Sequence, residues 1–121
     1  MVNCIFVGLG GFIGAVCRYL IGLVPMKAQP VFPVKTFLIN IIGAFVIGLI
    51  AALAAKNSSM DPHLILFLKV GICGGFTTFS TFAFETTDLL QSGNTGTALL
   101  YAILSVVLGV LAVFAAQILV K

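Results

Sequence analysis

Four long apolar stretches, separated by short polar ones, dominate the sequence. They run over residues 4–24, 34–55, 64–90 and 97–120. Each meets the roughly 20 residues that a helix needs to cross a hydrocarbon core of about 30 Å. Backbone groups cannot remain unpaired in lipid, and segments this long and apolar lack the alternation of barrel strands. The pattern therefore predicts an all-α integral membrane protein with four transmembrane helices, in which residues 1–121 form a single transmembrane domain.

The polar stretches between the spans carry residues that end and start helices. Pro25, Pro30 and Pro33 mark the first connection. In the second connection, residues 56–62, Asp61 precedes Pro62 and offers a helix start. Residues 91–94 form the third. These short connections favour neighbouring spans that run in opposite directions.

The composition decides against a soluble protein. Apolar residues make up 61% of the chain and charged residues 7%, against roughly 25% charged in soluble domains. A soluble domain of this length leaves too much of its surface in water to hide so much apolar area. We therefore expect membrane lipid around the chain. The net charge of +3 comes from scattered residues, which excludes a nucleic-acid partner.

Motifs for metal binding are missing from the sequence. The three cysteines lie inside apolar runs, and the one histidine has no cysteine at a ligand spacing: Cys4, Cys17, Cys73 and His63. We expect the cysteines to be small buried apolar side chains.

Motifs for catalysis are weak as well. Gly8, Gly10 and Gly11 resemble the start of a dinucleotide loop, but Ile13 stands where that motif needs glycine. Gly10 and Gly14 instead form the GxxxG spacing of closely packed helices. No paired carboxylates or Ser–His–Asp arrangement is available, so we do not expect an enzyme.

The positive charges are balanced between the two membrane faces. Four spans place both termini and the second connection on one face. The basic residues divide evenly: Lys56, Lys69 and Lys121 belong to that face, and Arg18, Lys27 and Lys35 to the other. The positive-inside rule finds no imbalance here. This predicts insertion in both orientations and an antiparallel dual-topology homodimer with two-fold symmetry, although a single orientation set by other features remains open.

The third stretch contains a segment that is ill suited to a lipid-facing helix. Residues 71–82 hold three glycines, three threonines and one serine. Glycine destabilises helix interiors, and Ser and Thr compete for backbone partners. A break at membrane depth persists only where protein or an aqueous cavity covers it. We predict that the third helix is broken near residues 73–80 and forms a site, with tight packing through small residues as the alternative.

Uncharged donors on the other spans complement this segment. Thr36 and Asn40 are four residues apart on the second span, as are Tyr101 and Ser105 on the fourth. Each alone is equally compatible with a helix–helix hydrogen bond. Together with Ser80 and Thr81, they can replace the water shell of a small, strongly hydrated anion without trapping it.

Four further residues have charged or aromatic chemistry near this set. Phe79 and Phe82, three residues apart, can present electropositive ring edges to an anion. Arg18 either draws anions to a vestibule or extends to lipid headgroups. Glu85 either bonds hydroxyls of a neighbouring helix or pairs with a lysine.

On these residues the chain resembles the Fluc fluoride channels, also called the CrcB family. The most specific match is Gly-Gly-Phe-Thr-Thr-Phe-Ser-Thr-Phe at 74–82, followed by Glu85. Gly14 with Arg18-Tyr19, Asn40 within residues 38–43, and Tyr101 with Ser105 extend it over essentially the whole chain. The resemblance implies an antiparallel homodimer with two fluoride pathways in the bacterial inner membrane. Such proteins let fluoride leave the cytoplasm passively and protect against fluoride that enters as HF.

The resemblance also implies roles for particular residues. Phe79 and Phe82 match the phenylalanine pair of the family, and Asn40 matches the pore asparagine. The polar track matches four residues, with Glu85 adjoining them: Ser80, Thr81, Tyr101 and Ser105. Backbone carbonyls of Gly74 and Thr77 from both protomers are expected to hold a central Na⁺, a hard cation that oxygen ligands suit. Gly109 departs from the family, which often has Ser or Thr there.

Two other function classes remain open at this point. Small dual-topology multidrug or cation exporters also have four helices, but they need a membrane-embedded carboxylate. The first span has none, and Glu85 comes late in the third. The other class is a non-transporting subunit of a larger complex. The set of donor residues makes this class less favoured than a transport function.

Overall fold

The computed structural model describes residues 1–26 and 31–121; Lys27 and Pro30 of the first connection lie outside the described residues. Within these two ranges, all regular secondary structure is helical. The first helix is Val2–Gly22, the second Val34–Lys56, the third span Pro62–Gln91 and the fourth helix Thr95–Val120. All four are long and apolar enough to cross a membrane. The predicted bounds lie within two residues of these at each end, and the all-helical membrane fold is confirmed.

The third span is interrupted as predicted. Its N-terminal half, residues 62–76, consists of an α-helical turn, a π-helical stretch over Leu66–Cys73, and a further turn over Gly74–Phe76. Thr77 and Thr78 then have extended backbones, with ψ of 157° and 120°. The C-terminal half is the α-helix Phe79–Gln91. The π-helical stretch was not predicted, and such stretches are frequent at functional sites.

The third span begins at the residues that the sequence indicated. The carboxylate of Asp61 accepts a hydrogen bond from the His63 backbone N–H at 2.9 Å. Pro62 occupies the first helical turn, where its missing N–H costs nothing. At the other end of the span, Gly93 has φ of 86°, which glycine adopts without steric cost. The chain thereby turns into the fourth helix.

The first helix lies directly against the N-terminal half of the third span. A Cβ added at Gly10 would lie 2.8 Å from the Gly71 Cα and 2.9 Å from the Ile72 nitrogen. A Cβ at Gly14 would lie 2.8 Å from the Phe76 nitrogen. The interpretation of Gly10 and Gly14 as a close-packing pair is therefore confirmed.

The second helix packs against the fourth helix. A Cβ at Gly48 would lie 3.0 Å from the Ala116 Cβ and 3.0 Å from the Val113 carbonyl oxygen. Farther along the fourth helix, Tyr101 is completely buried. It forms a small core with Leu89 and Ala98. Three partly buried rings pack against this core: Phe32, Phe37 and Phe82.

Large apolar side chains cover much of the outer surface, as expected for a chain surrounded by lipid. Leu9 and Phe12 on the first helix and Phe114 on the fourth are more than half exposed. The expectation that all the cysteines are buried is wrong for Cys4 and Cys17, which are exposed, and holds only for Cys73. Lipid accepts a small apolar side chain as readily as a protein core does.

Candidate functional site

Asn40 holds the interruption of the third span with both polar atoms of its side chain. Its Oδ1 accepts a hydrogen bond from the Thr78 backbone N–H at 2.8 Å, and its Nδ2 donates to the Thr78 carbonyl at 3.1 Å. In a continuous α-helix that N–H would pair with the Gly74 carbonyl, four residues earlier. Asn40 therefore supplies the backbone partners that the break removes, and one hydrogen of its amide group remains.

Several other groups at the break bond to side chains. The Thr77 hydroxyl donates to the Cys73 carbonyl at 3.0 Å. The Thr78 hydroxyl accepts from the Thr81 N–H at 3.2 Å and so caps the C-terminal half. The Arg18 Nε donates to the Gly75 carbonyl at 3.2 Å. Arg18 thus binds the break itself, a contact that neither sequence-based alternative included.

Among the carbonyl groups that lose their helical partners at the break are those of Gly74 and Thr77. Those partners would be the N–H groups of Thr78 and Thr81, which bond instead to the side chains of Asn40 and Thr78. In the part of the chain that the structure describes, no donor reaches the carbonyl oxygens of Gly74 or Thr77. A Cβ at Gly74 would meet nothing within 4 Å, so space is open beside it. These are the carbonyls from which a Na⁺ site was expected.

A cavity of about 320 Å³ lies beside the break. Amide, hydroxyl and aromatic groups share its lining with small apolar residues: Asn40, Gly43, Ala44, Ile47, Cys73, Gly74, Thr77, Thr78, Phe79, Phe82 and Ser105. None of these residues is charged. The cavity brings together six of the residues that the sequence singled out from three different spans.

The hydroxyl oxygen of Ser105 is an unpaired polar atom in the lining of this cavity. Its Oγ is buried and has no hydrogen-bond partner among the described residues. Leaving a buried hydroxyl unpaired costs about 1–3 kcal/mol, and such exceptions call for a physical reason. The reason offered by the geometry is a ligand in the cavity that accepts a hydrogen bond. One turn later stands Gly109, which has no side chain and so no side-chain donor. A Cβ added there would meet only the Ile41 Cδ1, at 4.0 Å.

The aromatic rings form a contiguous row from this cavity into the core. The Phe79 and Phe82 ring centroids are 6.0 Å apart, and those of Phe82 and Tyr101 are 4.9 Å apart in an edge-on arrangement. Phe79 is 79% exposed in the single chain, whereas Phe82 is half-buried. Phe79 therefore presents its ring outward from the surface of the chain.

A second polar cluster adjoins the cavity through Tyr101. The Glu85 carboxylate accepts hydrogen bonds from the Thr36 hydroxyl at 3.0 Å and from the Tyr101 hydroxyl at 2.9 Å. Of the two alternatives for Glu85, bonding to hydroxyls of neighbouring helices is confirmed. The Tyr101 hydroxyl, expected as a free donor, is occupied by this bond.

Two of the outer cavities that meet at the same glutamate have basic residues in their lining. One, of about 420 Å³, is lined by Lys35, Thr36 and Glu85 together with residues of the first connection. The other, of about 380 Å³, is lined by Arg18, Lys35, Thr81 and Glu85 among others. Basic side chains therefore line these two cavities, whereas a third cavity at Glu85, of about 620 Å³, is lined by Asp88 and by no basic residue. Ser80 lines none of these cavities; it is exposed, with its Oγ 3.5 Å from the Thr78 Oγ1.

Sequence reasoning missed Thr78 and Lys35. Thr78 is the residue that Asn40 clamps and the cap of the following helix. Its position three residues before Thr81 is typical of an N-cap and was available as a signal. Lys35 was counted only as a charge, since nothing in the sequence places it beside Glu85.

The fold and this site define a multi-pass membrane protein with a polar, uncharged cavity at a broken span. A family model described as "CrcB-like protein, Camphor Resistance (CrcB)" matches residues 5–117. The chain belongs to this family.

Several relatives carry the printed name "Fluoride-specific ion channel FluC". One from Azobacteroides pseudotrichonymphae is 40% identical and covers 98% of this chain and 97% of its own. One from Agrobacterium fabrum is 42% identical over 95% and 93% of the two chains. One from Flavobacterium psychrophilum is 43% identical over 100% and 98%. The resemblance found in the sequence is confirmed, and these relatives are named as channels, not as exporters or enzymes.

Proposed function

We propose that this chain is a fluoride-selective channel that lets fluoride leave the bacterial cytoplasm passively across the inner membrane. Membership of the CrcB family supports this, since its relatives are named fluoride-specific ion channels. The four spans make the chain a multi-pass membrane protein. Passive efflux of this kind gives fluoride resistance.

The observation that carries the proposal is the uncharged cavity with the unpartnered Ser105 hydroxyl. Fluoride is small and strongly hydrated, so a selective path must replace its water with donors. The Ser105 hydroxyl and the remaining Asn40 amide hydrogen are such donors. Because no charged side chain lines the cavity, the anion is not trapped there.

The pathway continues from this cavity along the aromatic row. Ring edges of Phe79 and Phe82 carry partial positive charge and exclude water. The polar track of Ser80, Thr81, Tyr101 and Ser105 supplies hydroxyls. The Tyr101 hydroxyl exchanges its bond to Glu85 for one to the ion as fluoride passes. Arg18, Lys35 and Thr36 lie along the outer cavities, where the positive groups attract anions.

A homodimer completes the pathway. The exposed Phe79 ring and the open cavity beside it offer a surface for a second, antiparallel copy. The even division of positive residues between the two membrane faces supports insertion in both orientations. Two copies related by two-fold symmetry then contain two pathways.

Sodium binds at the centre of this dimer through the carbonyls of Gly74 and Thr77 from both protomers. Support comes from their lack of donors and from the open space at Gly74. In the described residues, no group of three or more His, Cys, Asp or Glu side chains offers another metal site. When bound, Na⁺ would accept electron density from these carbonyl oxygens and would link the breaks of the two protomers.

Removing sodium tests this part of the proposal. Protein purified and reconstituted with K⁺ as the only alkali cation is expected to lose fluoride efflux, and added Na⁺ should restore it. Equal efflux in both preparations would remove Na⁺ from the proposal.

The test of the function itself is efflux from vesicles that are loaded with potassium fluoride and made from protein purified and reconstituted in the presence of Na⁺. With a potassium ionophore present, a fluoride electrode should record rapid release that needs no proton gradient. Vesicles loaded with potassium chloride should retain their anion. Release of chloride at the fluoride rate would refute the selectivity, and proton-driven uptake of a lipophilic cation, lost on Glu85→Gln, would instead indicate the exporter class.

A further inference from the structure

A groove at one end of the molecule plays no part in the proposed pathway. It has a volume of about 420 Å³ and lies between the last turns of the second and fourth helices. Ala51, Ala52 and Ala55 contribute short side chains from the second helix. Lys56, at the end of that helix, and Lys121, after the end of the fourth, also line it.

The shape of the groove follows from the packing of these two helices. They are in close contact at Gly48 and Ala116, where a Cβ on the glycine would lie 3.0 Å from the alanine Cβ. Beyond this contact the alanine side chains are too short to fill the space between the helices. The result is an apolar groove on the outer surface of the bundle, which lipid surrounds.

The charged side chains that line the groove are both lysines. The Lys56 Nζ donates to the Val120 carbonyl at 2.9 Å, which places this ammonium over the end of the fourth helix. An ammonium has three hydrogens to donate, so two remain. Lys121 adds a second ammonium, and no Asp or Glu side chain is among the residues that line the groove.

We propose that this groove binds one anionic phospholipid. Its phosphate lies between the Lys56 and Lys121 ammonium groups, and one acyl chain lies against Ala51, Ala52 and Ala55. Both lysines stand where membrane spans end, which is the depth of lipid headgroups. Lysines near a membrane surface attract anionic lipids, and an apolar groove in lipid is filled by hydrocarbon, not by water.

Native mass spectrometry of the detergent-purified protein tests the site. The probes are phosphatidylglycerol and phosphatidylcholine with the same acyl chains. Lys56→Gln combined with Lys121→Gln should weaken phosphatidylglycerol binding about thirty-fold, since each lysine contributes about fivefold. Lys35→Gln is the matched control, because the Lys35 Nζ likewise donates to a helix-end carbonyl, that of Gly22, at 2.8 Å. It should leave the binding unchanged.

A second variant tests the acyl-chain part of the site without touching the charges. Ala52→Phe should fill the groove and release the bound lipid while both lysines remain. Equal retention of phosphatidylcholine would overturn the proposal in favour of an apolar groove without headgroup selectivity. An equal loss with Lys35→Gln would overturn it in favour of general surface charge. Displacement of the lipid by inorganic phosphate alone would assign a free-phosphate site. A lysine double variant that loses its dimer but no lipid would assign the groove to a second copy of the chain.

Discussion

Asn40 acts first on the protein's own backbone. Both polar atoms of its side chain bond to Thr78, which is possible only because the third span has released the Thr78 N–H. The same contacts orient the second amide hydrogen near the cavity. One residue therefore stabilises the break and, in the proposed pathway, also offers a donor to the ion.

Replacing Asn40 by aspartate tests this double role. A carboxylate cannot donate to the Thr78 carbonyl, and its charge repels an anion. Loss of a hydrogen bond to a charged group costs about 1.5–3 kcal/mol, so Asn40→Asp should slow fluoride efflux by about tenfold to a hundredfold. Asn57→Asp, on an exposed loop, should have no effect. Unchanged efflux in Asn40→Asp would remove this residue from the pathway.

The ring of Phe79 is expected to contribute its polarised edge as well as its bulk. Phe79→Ile keeps an apolar side chain but removes the positive ring edge, so fluoride efflux should slow severalfold. Phe84 belongs to the same half of the third span and is also exposed, which makes Phe84→Ile the control. If both variants conduct at the wild-type rate in the vesicle assay, the aromatic edge has no role.

At this scale the sequence indicated which residue types meet, but not how they pair. Asn40, Ser105 and the phenylalanines were predicted as one set, and they line one cavity. The bond from Tyr101 to Glu85 and the capping role of Thr78 were missed. Each depends on the rotation and height of one helix against another, which hydrophobic periodicity does not fix.

Among the elements, the first helix is held against the third span by glycine. Gly10 faces the backbone of Gly71 and Ile72, whereas Gly8, two residues earlier, has nothing within 4 Å of its added Cβ. An alanine at Gly8 therefore reports helix propensity alone, whereas an alanine at Gly10 reports helix propensity together with the loss of close packing.

Gly10→Ala and Gly8→Ala form the corresponding pair of variants. Gly10→Ala should destabilise the fold by about 1–3 kcal/mol, because the third span must move away. Gly8→Ala should be neutral or stabilising by up to about 1 kcal/mol, since alanine is the better helix former. Thermal unfolding in detergent measures both. Equal shifts for the two variants would contradict the close approach of these elements.

The interruption of the third span was predictable in position but not in form. Glycines and hydroxyl residues lower the stability of a regular helix, and their density located the break near residues 73–80. The π-helical stretch Leu66–Cys73 lies where the N-terminal half fits against the first helix. That fit depends on the partner helix, and no residue type in the stretch predicts it.

For the whole molecule, composition and length were enough to predict a four-span membrane protein. The antiparallel dimer rests on the charge balance and remains a prediction. Substitutions on one face can alter the balance of positive charges between the two membrane faces. Asn57→Lys with Ser58→Lys adds two charges to the face that holds the termini, so most chains should then insert with that face in the cytoplasm.

The accessibility of a terminal tag on each side of the membrane measures this bias. The wild type should be labelled from both sides, and the lysine variant from one. Its fluoride efflux should fall, because antiparallel partners become scarce, and Asn57→Gln with Ser58→Gln should behave as the wild type. A wild type labelled from one side only would rule out dual topology.

In the proposed function, fluoride passes through the cavity beside the broken span, where the buried Ser105 hydroxyl has no hydrogen-bond partner among the described residues. The most direct measurement is the fluoride-electrode efflux rate of Ser105→Ala beside Ser59→Ala, a serine on an exposed loop. Ser105→Ala should be at least as stable as the wild type, because it removes an unpaired buried group. It should nevertheless conduct about tenfold more slowly. A Ser105→Ala channel that is equally stable and equally fast would contradict the account.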